Sequence, residues 1–378
     1  MNILFITRLY PSDCYDNQQT GMGHYICREW VRAGHNVQVI HEDMRFNRRW
    51  SQEERALPDT RRFMLEDVPV SFIKLNRPFP GYRYLPGSEA RKAEQFIMQE
   101  VEAWGHKPDV IFAFFCYDQW KVISRVRKHF DCPVVPIFHN CDVKFSQKKV
   151  GKILDESPVS GGVNHKILSI LEKTRPGCDT FMCYGGAPND AESYFPGQKH
   201  NAVFSIVYAG MLIPLKKVDI TLRALGMLKD RYDFTFTIIG DGEERESLEA
   251  LTEELGLSQR VSFLGRVKRT QVLEEMGKAD CFAMASSPET FGLTYLEAMA
   301  CGDYVIGSKG EGIDGVLVSG ENGVLVTPGS VEELADALEL YFTESERVKE
   351  MQRKGLETAA ALTEKNVAAM ILRDCHLE

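Results

Sequence analysis

Ser286-Ser287-Pro288-Glu289-Thr290-Phe291-Gly292-Leu293-Thr294-Tyr295-Leu296-Glu297-Ala298-Met299-Ala300-Cys301-Gly302 is the stretch on which the reading of this chain turns. It follows one apolar run, Cys281–Ala285, and leads into another, Tyr304–Ile306. It therefore reads as a loop and helix between two strands, with the helix predicted over Phe291–Ala300 and Gly302 as the glycine past its end. Such a helix aims the N–H groups of its first turn, Phe291 to Thr294, at whatever lies beyond the carboxyl ends of the strands, and that arrangement binds phosphate. Gly292 permits close backbone approach, and Thr294 adds a hydroxyl. Two carboxylates flank this anion site, Glu289 in the loop and Glu297 two turns on. Beside a phosphate a carboxylate is costly unless it accepts from sugar hydroxyls. Each also has a plain reading, Glu297 as an exposed helix residue and Glu289 as a charge favoured by the helix dipole.

The same strand–helix alternation runs through the chain. Short apolar runs recur at Ile3–Ile6, Val37–Ile40, Val110–Phe115, Val134–Phe138, Phe181–Tyr184, Phe204–Tyr208, Phe234–Ile239, Val261–Leu264 and Val324–Val326. Runs rich in Val, Ile and Phe, without polar alternation, suit strands buried on both faces of a parallel sheet. Between them Leu248, Leu251 and Leu255 share one helical face, as do Leu334, Leu338 and Tyr341 behind a capping box of Ser330 with Glu333. The class is α/β. The alternation restarts after Phe195-Pro196-Gly197-Gln198-Lys199-His200-Asn201, so the expected domains are 1–200 and 201–360, with a C-terminal helix in 361–378 packing back on the first. Asp43–Glu100, rich in Arg, Pro and aromatics, reads as an elaborated loop region. Gly310-Glu311-Gly312-Ile313-Asp314-Gly315 matches G-x-G-x-x-G, but no long helix follows it, so a nicotinamide cofactor is not expected.

Composition narrows the function. The 378 residues are 44% hydrophobic and 26% charged, which excludes wholesale disorder. The longest apolar run, Val110 to Tyr117, is eight residues, against about 20 for a membrane-spanning helix. The opening Met1-Asn2-Ile3-Leu4-Phe5-Ile6-Thr7 reads as a first strand rather than an export signal. Ten cysteines without a C-x-x-C pair read as reduced thiols in a cytoplasmic protein. Residues 1–200 carry 27 basic against 24 acidic side chains and residues 201–378 carry 18 against 30. Neither half has the strong basic excess of a nucleic-acid binder.

Glu289 and Glu297, with seven residues between them in Pro-Glu-Thr-Phe-Gly-Leu-Thr-Tyr-Leu-Glu-Ala-Met-Ala-Cys-Gly, resemble the E-x7-E signature of retaining glycosyltransferases of family 4. Gly240-Asp241-Gly242-Glu243, Val261-Ser262-Phe263-Leu264-Gly265, Gly320-Glu321-Asn322-Gly323 and the segment from Pro188-Asn189-Asp190 to Phe195-Pro196 resemble further family segments. The resemblance is dense over 180–340 and thinner before it. It implies the GT-B fold, two doubly wound Rossmann-like domains facing a central cleft. It also implies transfer of a sugar from a nucleoside diphosphate donor, a UDP-sugar ahead of a GDP-sugar, to an acceptor hydroxyl with retention at the anomeric carbon. By the same resemblance, Glu289 contacts the donor sugar and Glu297 the ribose. The amides of Phe291, Gly292 and Leu293, with Thr294, bind the pyrophosphate and sugar, and backbone at Arg266 and Val267 meets the base. Gly21, in Thr20-Gly21-Met22-Gly23, stands where the family has a glycine-rich loop facing the diphosphate. His139, ending the run Val134–Phe138, resembles a family histidine near the sugar; its plain reading is a hydrogen-bonded strand-end residue.

One segment departs from the family. Ala209-Gly210-Met211-Leu212-Ile213-Pro214-Leu215-Lys216-Lys217 has Met211 where the family has an arginine, Lys216 where it has its lysine, and Lys217 in place of a glycine. Fixed cations stabilise the departing diphosphate, so compensation by Lys217 or Arg266 is expected, and a weakened, nucleotide-sugar-binding subunit is the alternative. An epimerase of the same fold is a second alternative, less consistent with the continuous Glu289…Glu297 motif. No metal and no separate cofactor are expected. The opening Thr7-Arg8-Leu9-Tyr10-Pro11-Ser12 and Gly34-His35-Asn36-Val37 look most like members that build bacterial surface polysaccharides, which implies a glycan or lipid-linked glycan acceptor. Arg45, Arg48, Arg49, Trp50, Arg61, Arg62 and Phe63 read either as a surface for peripheral docking at the inner face of a membrane or as a solvated basic loop.

Overall fold

A computed structural model describes residues 1–11, 21–46, 55–79, 85–115, 117–144, 146–195, 197 and 202–377. The chain divides into two compact units, Met1–Cys183 with Val367–Glu378, and Tyr184–Asn366. No helix among the described residues is long and apolar enough to cross a membrane. The eight cysteines among them are all free thiols.

The first unit runs β1 (Asn2–Thr7), α1 (Met22–Arg32), β2 (Asn36–Phe46), β3 (Thr60–Leu65), β4 (Val68–Arg77), α2 (Gly87–Trp104), β5 (Val110–Phe114), α3 (Trp120–Phe130), β6 (Val134–Phe138), α4 (Asn140–Val143), α5 (Gln147–Asp155), β7 (Ser160–Gly162), α6 (His165–Thr174) and β8 (Thr180–Met182). Its sheet has the order β3-β4-β2-β1-β5-β6-β7-β8, parallel except where β3 meets β4. Ile3 to Ile6 of β1 are wholly buried, as a central strand covered on both faces requires. Phe5 packs on Phe114 and Trp30, at 4.6 and 6.3 Å between ring centroids.

Asp43–Glu100 corrects the sequence reading. It holds the end of β2, a β3–β4 hairpin and α2 rather than an elaborated loop. The hairpin turns through Glu66 and Asp67 at φ 44° and 67°, the left-handed pair that two-residue hairpins need. Neither residue is the Gly or Asn that would have announced it. The basic residues of this stretch are engaged within the chain: Arg45 pairs with Asp43 at 2.9 Å, Arg62 with Glu100 at 2.7 Å, and Arg61 lies over Phe63. Arg48, Arg49 and Trp50 lie outside the described residues.

The second unit contains β9 (Phe204–Ala209), a 3-10 turn (Pro214–Lys216), α7 (Val218–Leu228), β10 (Phe234–Ile239), α8 (Arg245–Glu254), β11 (Val261–Gly265), α9 (Arg269–Lys278), β12 (Cys281–Ala283), α10 (Leu293–Ala300), β13 (Tyr304–Ser308), β14 (Val324–Val326), α11 (Val331–Thr343) and α12 (Ser345–Ala361). The sheet is parallel throughout, in the order β11-β10-β9-β12-β13-β14. Ser330 caps α11 by accepting the Glu333 N–H at 3.2 Å, while the Glu333 carboxylate accepts from the Thr327 N–H at 2.7 Å. The predicted box is thus a one-sided cap.

The boundary between units falls at Cys183/Tyr184, ahead of the expected 200/201. Residues 184–195 are held by the second unit: Ala187 and Glu364 exchange backbone hydrogen bonds with Leu362 and Ala187, each at 2.8 Å, and the Phe195 ring lies against Gly302. Of the expected linker, Phe195 and Gly197 are described; Pro196 and 198–201 lie outside the described residues. The last helix, α13 (Glu364–Asp374), starts in the second unit, and from Val367 the chain belongs to the first. Trp30 Nε1 there donates to the Ala368 carbonyl at 2.9 Å.

Candidate functional site

In the second unit the carboxyl ends of β9 and β12 lie side by side, because these strands are neighbours in the parallel sheet. Lys216, in the turn after β9, reaches Glu289, in the loop after β12, with Nζ and Oε2 2.5 Å apart. Ser286 Oγ donates to the same carboxylate oxygen at 3.1 Å, and Thr290 N–H to the other at 3.0 Å. Glu289 is 9% exposed, a burial that this surrounding of donors makes tolerable. Beneath it Tyr208 and Tyr295 donate to the carbonyls of Met211 and Met284. Burial, reinforced for both by the nearby Glu289, pushes their phenols above the usual range, so both stay neutral donors.

The helix that follows begins at Leu293, two residues later than expected. Gly292 takes φ 82° and ψ 72° as its N-cap, a left-handed conformation outside the helix. A Cβ there would also stand 2.5 Å from the Tyr295 ring. Leu293 and Thr294 therefore open the first turn, and the Phe291 side chain, 3% exposed, is part of the core. Gly302 past the far end has φ 76°, as the C-terminal cap requires. Glu297 is buried in α10 rather than exposed, its Oε1 paired with Arg269 Nε at 2.7 Å. Arg266 and Val267 lie in the turn between β11 and α9.

The two lysines separate. Lys216 is spent on Glu289, whereas Lys217 adopts φ 50° as the N-cap of α7 and extends its amine toward Gly329, 3.9 Å from where a Cβ would stand. Met211 is 38% exposed.

Two further residues belong to this constellation and escaped the sequence reading. Glu311 accepts from the Glu289 N–H at 2.8 Å and the Ser287 hydroxyl at 2.7 Å, fixing the loop that carries Glu289. It sits inside the glycine-rich match dismissed as a cofactor motif; its neighbour Gly312 is required because a Cβ would stand 2.3 Å from the Thr290 carbonyl oxygen. Arg269 joins Glu297 to Glu364, the latter at 2.8 Å. Neither contact follows from sequence spacing.

In the first unit His139 is the N-cap of α4. Its N–H donates to Asp142 Oδ2 at 2.8 Å, its Nδ1 lies 3.2 Å from the Ile137 carbonyl oxygen, and its ring stacks on Phe115 with centroids 3.8 Å apart. Asp142 also accepts from the Tyr117 N–H at 3.1 Å. The histidine is thus held in one orientation at a strand end. Gly21 is the N-cap of α1, and a Cβ on it would meet the Tyr25 ring at 2.5 Å. Thr20, before it, lies outside the described residues.

The family Glycosyl transferases group 1 matches residues 192–358. The lipopolysaccharide core biosynthesis glycosyltransferase LpsE of Rhizobium meliloti (strain 1021) is 31% identical over 153 residues, 40% of this chain and 44% of that protein. The D-inositol 3-phosphate glycosyltransferase of Paenarthrobacter aurescens (strain TC1) is 30% identical over 174 residues, 45% of this chain and 43% of that protein. The chain thus spans less than half the length of these relatives. Among solved structures, Anabaena Alr3699/HepE in complex with UDP superposes with a TM-score of 0.72 at 20% identity, covering 99% of each chain. The match to the group 1 family covers β9 through most of α12, where the Glu289–Lys216 pair and the glycine-headed helix lie, and the likeness in fold extends over both units. Residues 192–358 thus match the Glycosyl transferases group 1 family, and the fold of the chain, two Rossmann-like α/β units, is that of the GT-B proteins.

Proposed function

We propose that this protein transfers a sugar from a nucleoside diphosphate sugar to an acceptor hydroxyl, with retention at the anomeric carbon. The observation that carries the reading is the Lys216–Glu289 pair beside the N-terminus of α10. An ammonium and a carboxylate in contact, next to helix amides, match a diphosphate joined to a sugar: the cation and amides take the phosphate oxygens, and the carboxylate takes sugar hydroxyls. Without a donor the two charges satisfy each other. Donor binding exchanges that ion pair for contacts of the same polarity, so neither charge is left buried alone.

As the glycosidic bond breaks, negative charge grows on the diphosphate, and Lys216 with the Leu293 and Thr294 amides is set to stabilise it. Glu289, held by Ser286 and Thr290, orients the sugar, and Glu311 holds the loop in place. Glu297, fixed by Arg269, presents a carboxylate for the ribose. In this reading the departing phosphate oxygen takes the acceptor proton on the face it leaves. Lys216 and the amides fill the role a metal has in other sugar transferases, so the proposed reaction is metal-independent. A UDP donor is the first choice, the nucleotide carried by the solved Anabaena protein. The acceptor class proposed is a glycan or lipid-linked glycan, in keeping with the lipopolysaccharide role in the name of the Rhizobium relative.

Nucleotide release from a panel of UDP- and GDP-sugars, with and without chelator, tests the proposal. One donor should be hydrolysed slowly by the wild type, equally in chelator. Glu289→Ala should lower that rate at least a hundredfold while the protein stays folded by circular dichroism. Normal turnover in the variant, or no nucleotide-sugar binding by the wild type, would exclude the reading.

A further inference from the structure

At the carboxyl ends of β1 and β4 in the first unit, two arginines share one carboxylate. Arg8 follows β1, Arg77 ends β4, and Asp118 lies just ahead of α3. Arg8 Nη1 and Arg77 Nη2 both donate to Asp118 Oδ2, at 2.5 and 2.6 Å. One anionic oxygen thus serves two cations.

The next carboxylate does not complete the balance. Thr7 pairs with His41 in the β1–β2 ladder, which sets Glu42 level with Arg8. Glu42 is wholly buried, and among the described residues neither of its oxygens has a hydrogen-bond partner. Among the described residues, Gln119, next to Asp118 in sequence, is 1% exposed with no partner to either amide atom, and the buried Arg8 Nε has none. Buried polar groups are rarely left unpaired, and here the Glu42 carboxyl and the nearby Arg8 Nε both are. Burial pushes the Glu42 carboxyl up to about 8, only partly opposed by the Arg8 charge. At neutral pH it therefore holds its proton and is a donor. Burial, with the Arg8 charge, pulls Arg77 below its usual range, against the pull of Asp118.

We propose that Arg8 and Arg77, backed by Glu42, form a binding site for an oxyanion of the phosphate-ester class, carried by the sugar acceptor. The two guanidinium side chains keep 22% and 18% of their surface exposed, against 7% for Asp118, so an anion reaches them from solvent. Guanidinium pairs match tetrahedral oxyanions in geometry as well as charge. The carboxyl ends of the strands are also where open α/β sheets bind ligands. That the oxyanion belongs to the acceptor rests on the transferase reading; the oxyanion site itself does not.

Calorimetric titration with inorganic phosphate and with glycerol 1-phosphate tests the site in the full chain. Arg8→Gln and Arg77→Gln should each weaken binding about tenfold. Asp118→Asn, which removes the negative charge that both guanidiniums contact, should tighten it several-fold, a gain that misfolding cannot mimic. Equal affinity in all four proteins would overturn the proposal. UDP titrated into the same samples reports on the second unit: unchanged UDP affinity in the variants is expected, and absent UDP binding in the wild type would defeat the transferase reading while leaving the phosphate result to stand. Co-sedimentation with phosphatidylcholine vesicles, with and without phosphatidic acid, separates the sources. Arginine-dependent binding only to the acidic vesicles assigns the site to a lipid headgroup, and arginine-dependent binding of glycerol 1-phosphate assigns it to a soluble ester.

Discussion

Met211 stands just past the carboxyl end of β9, partly exposed, in the position where family 4 has an arginine, and Lys217, one of the two residues expected to compensate for it, turns elsewhere. Lys217 turns toward Gly329, and of the two lysines it is Lys216 that contacts Glu289. Only one lysine is therefore placed beside Glu289. In the proposed reaction a second cation on the departing diphosphate, a guanidinium beside the Lys216 ammonium, is worth about 1.5–3 kcal/mol, about tenfold in rate or more. Met211→Arg is accordingly expected to raise kcat about tenfold with little change in donor KM. A kcat left where it was would mean that the diphosphate charge is already met by Lys216 and the helix amides. The residues of this site were legible in the sequence where the chemistry lies in consecutive positions, as in Glu289 to Glu297. They were not legible where a partner arrives from another strand end. Glu311 and Arg269 gain their roles from the parallel order β9-β12-β13 and the return of the chain at Glu364, which no local pattern encodes.

The loops after β12 and β13 act as one element. Gly312 lets the second loop approach until a Cβ would stand 2.3 Å from the Thr290 carbonyl oxygen and 2.5 Å from the Phe291 nitrogen. Both are backbone atoms of the loop that carries Glu289, so an added methyl must push the loops apart and draw Glu311 off its two donors. Gly312→Ala is expected to cost about 1–3 kcal/mol of stability and to lower turnover by well over tenfold. Gly310→Ala is the matched control, since its Cβ meets nothing within 4 Å and only the left-handed φ of 73° opposes it. Wild-type turnover by Gly312→Ala, with both variants folded by thermal denaturation, would show that Glu311 does not position the loop. Strands apolar on both faces, such as β1, β9 and β13, are legible in the sequence. β7 is not, because Ser160-Gly161-Gly162 carries no apolar signal. Gly161 is small because Ile137 and Phe181 close over it, with an Ile137 methyl 2.4 Å from where its Cβ would stand. Pairing there is dictated by the neighbours.

The chain crosses between the units twice, at Cys183/Tyr184 and at Asn366/Val367, and the second crossing returns it to the first unit. Val367, Ala368, Ile371 and Leu372 are each at most 3% exposed, and the Ala368 carbonyl takes the Trp30 indole N–H. Burying three large aliphatic side chains contributes about 5 kcal/mol, comparable to the whole stability of a typical domain. The second unit holds its own sheet from β9 to β14 and owes none of its strands to that segment. Removal of Val367–Glu378 is therefore expected to unfold or greatly loosen the first unit and to leave the second intact. Amide hydrogen exchange resolves the two. Protection of Ile3–Ile6 in β1 should collapse to the timescale of local opening, while that of Phe204–Ala209 in β9 should stay near the wild-type level. Retained protection in β1 would show that the terminal helix only covers a core complete without it. Equal loss in β1 and β9 would show instead that the two units fold as one cooperative body.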